Sequence, residues 1–442
     1  MSPVTRRTLL QSVTGAGLTV AGATETHRLV TQPRGTGAAA DPVFTFASLP
    51  DFFNGDVGDL SGLPTWDLGL NSINDSWRAA IDHCLGAMSA HQPDAVFLAG
   101  DMVEGHWNMD DDDRRIFGAV SRGIDAESID MCNAAITSAS GVYYPFLADL
   151  FSSRGLDLYP AVGDHEILDD RSGPLNDRWS PSGFHKGEPD NRYYLVKHCK
   201  DVWSDHFTRV GGEPRFSRRP RGTASEFTAY AVSFADSLTL INVDVFMHHS
   251  QGVRLGVFHG QLRWLRDEIR RAKRRGHTVV VQGHIPVMRP TRWLASGKLH
   301  VPEARASAMY HVLDREGADV YLCGEVHDNT AIQRDRRAPV QISHGCIFRY
   351  GFSYLVGRLY PDHRLVLDLY EIPLERASRS TEIWSTARAR RQHTVLEFGD
   401  PVHRGRLVQR HREVLRRTVK LGRYDARHDP YSNRLHNTTV YF

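Results

Sequence analysis

Residues 158–166 of the chain read LYPAVGDHE, an apolar run that ends in a glycine followed by three polar residues. Residues 95–104 repeat this pattern as AVFLAGDMVE, and residues 278–284 repeat it as TVVVQGH. Short runs rich in β-branched and aromatic residues predict buried strands, and a glycine after each run permits a tight turn. The polar residues are therefore expected directly after the ends of strands.

Two further segments show the same arrangement of an apolar run followed by acidic or imidazole side chains. Residues 43–51 read VFTFASLPD, and residues 320–327 read VYLCGEVH. The carboxyl ends of strands in an open α/β sheet face a common edge, so residues far apart in sequence can converge there. Five clusters of metal-ligand type at five strand ends predict a metal site at that edge.

The remaining pattern between Pro42 and Tyr370 is that of a layered α/β protein. The predicted strands are 43–47, 95–99, 158–162, 238–243, 278–282, 320–323, 340–343, 354–359 and 365–370. The predicted helices are 76–90, 131–154, 260–275 and 302–317. The polar segments 110–130 and 169–222 interrupt this order, and we interpret both as insertions on the substrate side. The segment beyond Leu374 has few strand signals and is expected to be helical or extended.

The N-terminus predicts export from the cytoplasm. Arg6 and Arg7 precede a weakly hydrophobic segment, which resembles a twin-arginine export signal. An accidental basic start to an amphipathic helix is the alternative. We expect an export signal and linker over 1–40, one catalytic domain over 41–374, and an Arg-rich segment over 375–442. The mature protein is expected to be extracytoplasmic or secreted, without a membrane span.

The distribution of charge along the chain argues against a nucleic-acid partner. Residues 375–442 carry 15 Arg and Lys against 7 Asp and Glu, which leaves a net charge of about −9 for residues 41–374. This acidic body fits a carboxylate-rich metal site better than a nucleic-acid groove, so no nucleic-acid partner is predicted.

The five cysteines lack zinc-site spacing. Buried free thiols are expected, with Cys323 and Cys346 as the one candidate disulfide pair.

The ordered clusters resemble those of the calcineurin-like metallophosphoesterase superfamily. They are Asp51, then Gly100-Asp101, Gly163-Asp164-His165-Glu166, Gly283-His284 and Gly324-Glu325-Val326-His327. The resemblance covers roughly residues 43–370 and includes QLRWL at 261–265 and GHIPV at 283–287. It implies a four-layer α/β/β/α sandwich of two packed mixed sheets with flanking helices. It also implies hydrolysis of a phosphomonoester or phosphodiester by water that two metal ions activate.

The resemblance also implies roles for individual residues. The metal ligands would be Asp51, Asp101, Asp164, His284, Glu325 and His327. Asp101 would bridge two divalent or trivalent ions of the Mn, Fe, Zn or Mg type. Asp51 and His327 would also bind the first ion. Asp164, His284 and Glu325 would also bind the second. His165 would protonate the leaving group and Glu166 would orient the His165 ring.

The sequence departs from the superfamily pattern at three positions. Phe53 stands where a histidine ligand is usual, Asp164 replaces an asparagine, and Glu325 replaces a histidine. A catalytically silent protein that binds metal or phosphate with the same fold is therefore an alternative. A third interpretation is a surface-binding protein whose basic tail recognises an anionic wall polymer or membrane. For Asp244, which ends a predicted strand, a structural role is expected.

Overall fold

The structure is a computed structural model that describes part of the chain. The described residues are 41–49, 51, 75–103, 105, 107, 117–167, 191–288, 299–325, 330–332, 338–343, 351–376, 398–401 and 406–414. The predicted export signal over 1–40 lies outside them, and so do the acidic run 110–113 and most of the segment 375–442. The proposed boundaries between the three parts of the chain stay predictions.

The described residues form helices and strands in an alternating order. The helices are α1 Asp75–Ser89, α2 Ala126–Ser152, α3 Arg192–Phe207, α4 His259–Arg274 and α5 Ala308–Glu316. The strands are β1 Phe44–Leu49, β2 Ala95–Leu98, β3 Leu158–Pro160, β4 Arg209–Val210, β5 Glu213–Pro214, β6 Tyr230–Phe234, β7 Leu238–Asn242, β8 Phe246–His249, β9 Gly252–Leu255, β10 Thr278–Gln282, β11 Val320–Cys323, β12 Thr330–Ile332, β13 Val340–Ser343, β14 Gly351–Leu359, β15 Leu365–Arg376, β16 Phe398–Pro401 and β17 Arg406–Val414.

Two mixed sheets carry most of these strands. The first has the order β16-β15-β14-β1-β2-β3, with β17 also paired to β15, and the second has the order β12-β13-β11-β10-β7-β6. β1, β2 and β3 are parallel, as are β7, β10, β11 and β13. The ends of these parallel strands supply the polar clusters identified in the sequence.

The two sheets pack face to face because alternate residues of their strands point to different layers. Phe46 and Phe97 of the first sheet share a buried cluster with Leu240 and Val280 of the second. Ala47, the neighbour of Phe46, belongs instead to the cluster that includes the helices. Burial of one such phenyl ring contributes about 1.5–3 kcal/mol. The predicted four-layer α/β/β/α arrangement is confirmed.

Helix α4 shows how the sequence pattern fixes an outer layer. Leu265, Ile269 and Ala272 recur at helical spacing and are buried, while Arg263 and Arg270 on the same helix are exposed. Helix α5 is shorter than predicted, because the Ser307 side chain accepts a hydrogen bond from the backbone N–H of Tyr310 and caps its first turn.

The segment 169–222, interpreted as an insertion on the substrate side, contains helix α3, which the sequence analysis did not predict. Leu195, Cys199, Trp203 and Phe207 of α3 are buried in the helix-side core. The segment beyond Leu374, expected to be helical or extended with few strand signals, contributes strands β16 and β17, which pair with β15 and extend the first sheet.

Among the helices in the described part of the chain, none combines the length and apolar composition needed to cross a membrane. The four described cysteines, Cys84, Cys132, Cys199 and Cys323, are buried free thiols. Cys346 lies outside the described residues.

Candidate metal centre

The carboxyl ends of five strands supply the polar residues of the candidate site. Asp51, Asp101 and Asp164 follow β1, β2 and β3 of the first sheet, and His284 and Glu325 follow β10 and β11 of the second. All five side chains are at most 3% exposed. The site therefore forms where the edges of the two packed sheets meet.

Four of these residues form one compact cluster. Asp101, Asp164, His284 and Glu325 each present a ligand atom, and these atoms lie within 4.8 Å of one another. Nε2 of His284 is 2.7 Å from Oδ1 of Asp164, 3.2 Å from Oδ2 of Asp101 and 3.7 Å from Oε2 of Glu325. Three carboxylates thus surround one imidazole nitrogen.

The opposite ring nitrogen of His284 determines which atom can bind a cation. Nδ1 lies 2.8 Å from the backbone oxygen of Ala99. A carbonyl oxygen only accepts hydrogen bonds, so Nδ1 carries the proton and donates it. Nε2 then keeps its lone pair when the ring is neutral, as histidine ligands to metals require.

Asp51 lies beside this cluster, next to the opposite side of the His284 ring. Its Oδ1 is 3.7 Å from Nδ1 of His284 and accepts a hydrogen bond of 3.0 Å from the backbone N–H of Glu325. Phe53 and His327 lie outside the described residues. The structure therefore brings four predicted ligands together with Asp51 adjacent, and binding of a metal by Asp51 and His327 stays a prediction.

Glu166 anchors the loop that carries Asp101. Its Oε1 accepts hydrogen bonds from the backbone N–H groups of Met102 and Val103, at 2.6 and 3.2 Å. Its Oε2 accepts them from the N–H groups of Asp101 and Gly163, at 2.9 and 2.6 Å. These contacts give Glu166 a positioning role toward Asp101, and its predicted orientation of the His165 ring stays a prediction.

His165 is buried next to Asp101. Its backbone N–H donates to Oδ1 of Asp101 at 3.1 Å, and its Nε2 lies 3.8 Å from Oδ2 of the same carboxylate. The His165 side chain therefore lies beside the cluster, and its role as the leaving-group acid stays a prediction.

Backbone geometry at the strand ends is unusual. Asp101 and Glu325 both have positive φ angles, 54° and 62°. Side chains other than glycine rarely adopt this conformation, and such strain concentrates at functional sites. Gly324 allows the Asp51 carboxylate to lie close to the backbone, because a Cβ on Gly324 would lie 2.3 Å from Oδ1 of Asp51.

Burial and crowding of like charges perturb the acidities of the site. Burial, the largest cause, raises the pKa of Asp51 to about 7. Burial and the Asp164 charge raise the pKa values of Asp101 and Glu325. Burial lowers the pKa of His284, but the surrounding carboxylates outweigh this effect and raise it well above its usual value.

The residues present fit a hard cation. Oδ2 of Asp101 is buried and accepts no hydrogen bond of acceptable geometry from the described residues. Carboxylate oxygens and one imidazole nitrogen suit Mn, Fe, Zn or Mg-type ions. A cation among these carboxylates would favour their charged forms, and so oppose both the burial and the mutual repulsion that raise their pKa values. The chemistry of the donor set thus supports metal binding.

The order of these residues matches a known sequence family. A family model described as calcineurin-like phosphoesterase matches residues 53–329, which is more than half of the chain. The chain belongs to the calcineurin-like phosphoesterase family. The match includes Asp101, Asp164, His284 and Glu325.

Several solved structures resemble this calcineurin-like phosphoesterase. A dimetal phosphatase from Danio rerio is 15% identical, with 74% of this chain and 96% of that chain covered and a TM-score of 0.42. The structure of PhoD is 12% identical, with 76% and 67% covered and a TM-score of 0.45. GAP50, the anchor in the inner membrane complex of Plasmodium, is 10% identical, with 75% and 84% covered and a TM-score of 0.38. No curated protein sequence matches the chain. At these identities and TM-scores the likenesses identify no substrate.

A buried ion pair beside the centre of this calcineurin-like phosphoesterase had no signal in the sequence. Nζ of Lys200, on α3, lies 2.6 Å from Oδ2 of Asp244 and also donates to the backbone oxygen of Phe246. The Phe246 ring lies 6.1 Å from the His284 ring, measured between centroids. Gln261 exchanges two hydrogen bonds of 2.9 Å with the backbone of Asp244. The network holds residues 244–246 against the candidate metal ligand.

Proposed function

We propose that the chain is a metal-dependent phosphoester hydrolase with a dinuclear metal centre. The observation that carries this proposal is the buried convergence of Asp101, Asp164, His284 and Glu325, in a chain of the calcineurin-like phosphoesterase family. Structural carboxylates are seldom buried together without a compensating cation. Asp51, adjacent to the cluster, supports a second ion that Asp101 would share.

Each residue of the chain has a distinct task in this proposal. Asp101, Asp164, His284 and Glu325 would hold one ion, and Asp51, Asp101 and His327 would hold the other. Two such ions lower the pKa of a nearby water molecule and neutralise charge on phosphoryl oxygens. His165 would donate a proton to the leaving oxygen, and Glu166 would fix the loop of Asp101.

The direct test combines metal analysis with hydrolysis of simple esters. The purified protein is expected to contain up to two metal ions and to hydrolyse nitrophenyl phosphate or bis-nitrophenyl phosphate. Asp101→Asn is expected to lose most bound metal and activity, because a neutral amide cannot replace the shared carboxylate. Near-normal turnover by a folded Asp101→Asn protein would refute the two-metal proposal.

The leaving-group role of His165 separates an enzyme from a silent metal-binding protein. General-acid catalysis contributes about 10²- to 10⁴-fold, and its contribution increases with the basicity of the leaving group. His165→Ala is therefore expected to keep its metal, lose most activity on alkyl phosphates and lose less on nitrophenyl phosphates. An equal loss on both substrates would assign His165 to positioning, and a wild-type protein inactive with every divalent metal would favour the silent protein.

We also propose that the protein is exported through a twin-arginine signal in residues 1–40. The support is the Arg6-Arg7 pair before a weakly apolar segment. A reporter fused behind residues 1–40 is expected outside the cytoplasm, and substitution of both arginines by lysine is expected to retain it inside. Export that is independent of both arginines would contradict the proposal.

A further inference from the structure

A cavity opens between the start of α4, strand β8 and the loop 220–225. Its volume is about 550 Å³. The side chains of Met247, Phe258 and Trp264 supply apolar surface to its lining, and polar groups of the loop complete the wall. A cavity of this size with an apolar lining can enclose a small organic ligand.

Close packing and hydrogen bonds hold the walls of this cavity together. The side-chain amide of Gln261, at the start of α4, donates to Oγ of Ser225 at 3.0 Å and to the backbone oxygen of Asp244 at 2.9 Å. A Cβ on Gly260 would lie 2.6 Å from Cγ2 of Thr223, so the loop packs directly on the first turn of the helix. The cavity is therefore formed before a ligand binds, which lowers the entropic cost of binding.

The charged side chains of this lining are basic. Arg221 and Arg263 are exposed, and neither guanidinium forms an ion pair with a described residue. Among the described residues, no aspartate or glutamate lines the cavity. Glu226, which accepts a hydrogen bond of 2.8 Å from the backbone N–H of Gly222, is paired with Arg219 at 3.1 Å. The cavity therefore attracts an anion.

An aromatic ring and further donors lie next to these arginines. The Arg254 guanidinium is 4.4 Å from the centre of the Phe258 ring, a distance at which a cation and a ring attract each other. His249 and His259 are exposed residues of the lining, and an imidazole N–H can donate a hydrogen bond to an anion. The cavity thus combines apolar surface with several donors and no competing carboxylate among the described residues.

Buried residues separate this cavity from the metal centre. Asp244, whose backbone bonds to Gln261, is fully buried. Phe246 is also fully buried, and its ring lies 6.1 Å from the His284 ring, measured between centroids. A ligand in the cavity is therefore expected to bind without contacting the candidate metal ligands.

We propose that this cavity is a ligand site, independent of the metal centre, for a small organic anion that carries a phosphate or carboxylate group on an apolar or aromatic body. Arg221 and Arg263 bind the anionic group, because a guanidinium binds phosphate or carboxylate with paired hydrogen bonds. Phe258 and Trp264 cover the apolar body. The concave shape favours a free ligand over an extended anionic surface. Binding at this site does not depend on the proposed hydrolase function.

The test measures binding of benzylphosphonate to the full-length, metal-loaded protein by calorimetry. This probe has a carbon–phosphorus bond in place of an ester bond, so ester hydrolysis cannot consume it. The double variant Arg221→Gln and Arg263→Gln is expected to bind the probe in the cavity at least about tenfold more weakly, because each hydrogen bond to a charged group contributes roughly that factor. Arg274→Gln, which changes an exposed arginine at the opposite end of α4, is the matched control and should leave the affinity unchanged.

Two further probes separate the contributions of the anionic group and the ring. Benzyl alcohol lacks the anionic group and methylphosphonate lacks the ring, so both are expected to bind more weakly than benzylphosphonate. Phe258→Leu should weaken binding of benzylphosphonate and leave binding of methylphosphonate unchanged. Equal affinity for benzylphosphonate and benzyl alcohol would contradict recognition of the anion.

The metal centre can also bind a phosphonate, and Asp101→Asn separates the two places. Binding that persists in Asp101→Asn, and that the added Arg221→Gln and Arg263→Gln substitutions weaken, would support the cavity as the site. Binding that Asp101→Asn abolishes would place the ligand at the metal centre and overturn the inference, whether or not the protein is a hydrolase. Binding to vesicles of phosphatidylcholine and phosphatidic acid, without binding of free benzylphosphonate, would overturn it in favour of a membrane surface.

Discussion

Gly163→Ala is expected to damage the metal centre without changing any proposed ligand. A Cβ at this position would lie 2.0 Å from Oδ1 of Asp101, 2.3 Å from its backbone nitrogen and 2.7 Å from Oε2 of Glu166. Ordinary contacts of a Cβ begin near 3.4 Å. The Asp101 carboxylate would therefore have to move by more than about 1 Å, and a displacement of this size can cost about 10²-fold in rate.

The assay measures metal content and hydrolysis of nitrophenyl phosphate by the Gly163→Ala protein. Activity is expected to fall about 10²-fold, with reduced metal content and a stability loss of about 1–3 kcal/mol from overpacking. Gly141→Ala is the matched control, because a Cβ there meets nothing within 4 Å in helix α2. That control should keep its activity and gain up to about 1 kcal/mol in helix stability. Full metal content and normal activity in Gly163→Ala would show that the close packing around Asp101 is unimportant.

Three further predictions concern the buried charges. Glu166→Gln is expected to weaken metal affinity by about 10- to 100-fold, because an amide cannot accept all four backbone hydrogen bonds. Chelator competition measures this affinity, and an unchanged value would show that Glu166 does not position the Asp101 loop. Lys200→Met should lower the free energy of unfolding by about 3–5 kcal/mol, measured with denaturant, because the buried Asp244 charge loses its cation. Adding Asp244→Asn should recover part of this loss, and losses that simply add would contradict the pairing. In the metal-free folded protein the pKa of Asp51 is raised to about 7, and the pKa of His284 is also raised. The folded protein therefore binds more protons than the unfolded chain, so its melting temperature should fall as the pH rises from about 5 to about 8. The metal-loaded protein should show no such fall, because metal binding displaces these protons. Parallel curves of melting temperature against pH for the two forms would contradict this coupling of protonation to metal binding.

The central strands and the convergence of the site could be predicted from the sequence. The bounds predicted for β10, β11 and β13 agree with the structure, because each is a short buried run that contains β-branched residues and is followed by a glycine or a histidine. The carboxyl ends of parallel strands in one sheet share an edge, which brings Asp101 near Asp164 and His284 near Glu325. The meeting of the two pairs also depends on how the two sheets pack against each other.

The contacts that support the site could not be predicted in the same way. The apolar residues of α3 recur at helical spacing, but they lie in a polar segment rich in proline and glycine, and that composition obscures the helical pattern. The pairing of Lys200 with Asp244 joins residues that are 44 positions apart and depends on how α3 packs. Glu166 follows His165 directly, and only the structure shows that its carboxylate binds the Asp101 loop.

The division of the centre between two sheets has a consequence for biosynthesis. The hydrogen bond from Glu325 to Asp51 joins residues 274 positions apart, and that between His284 and Ala99 joins residues 185 positions apart. Such distant pairs close late, because the intervening chain must first lose its conformational freedom. A chain still on the ribosome cannot form the cluster until residue 325 has emerged, so tight metal uptake would mark a polypeptide whose folding is nearly complete.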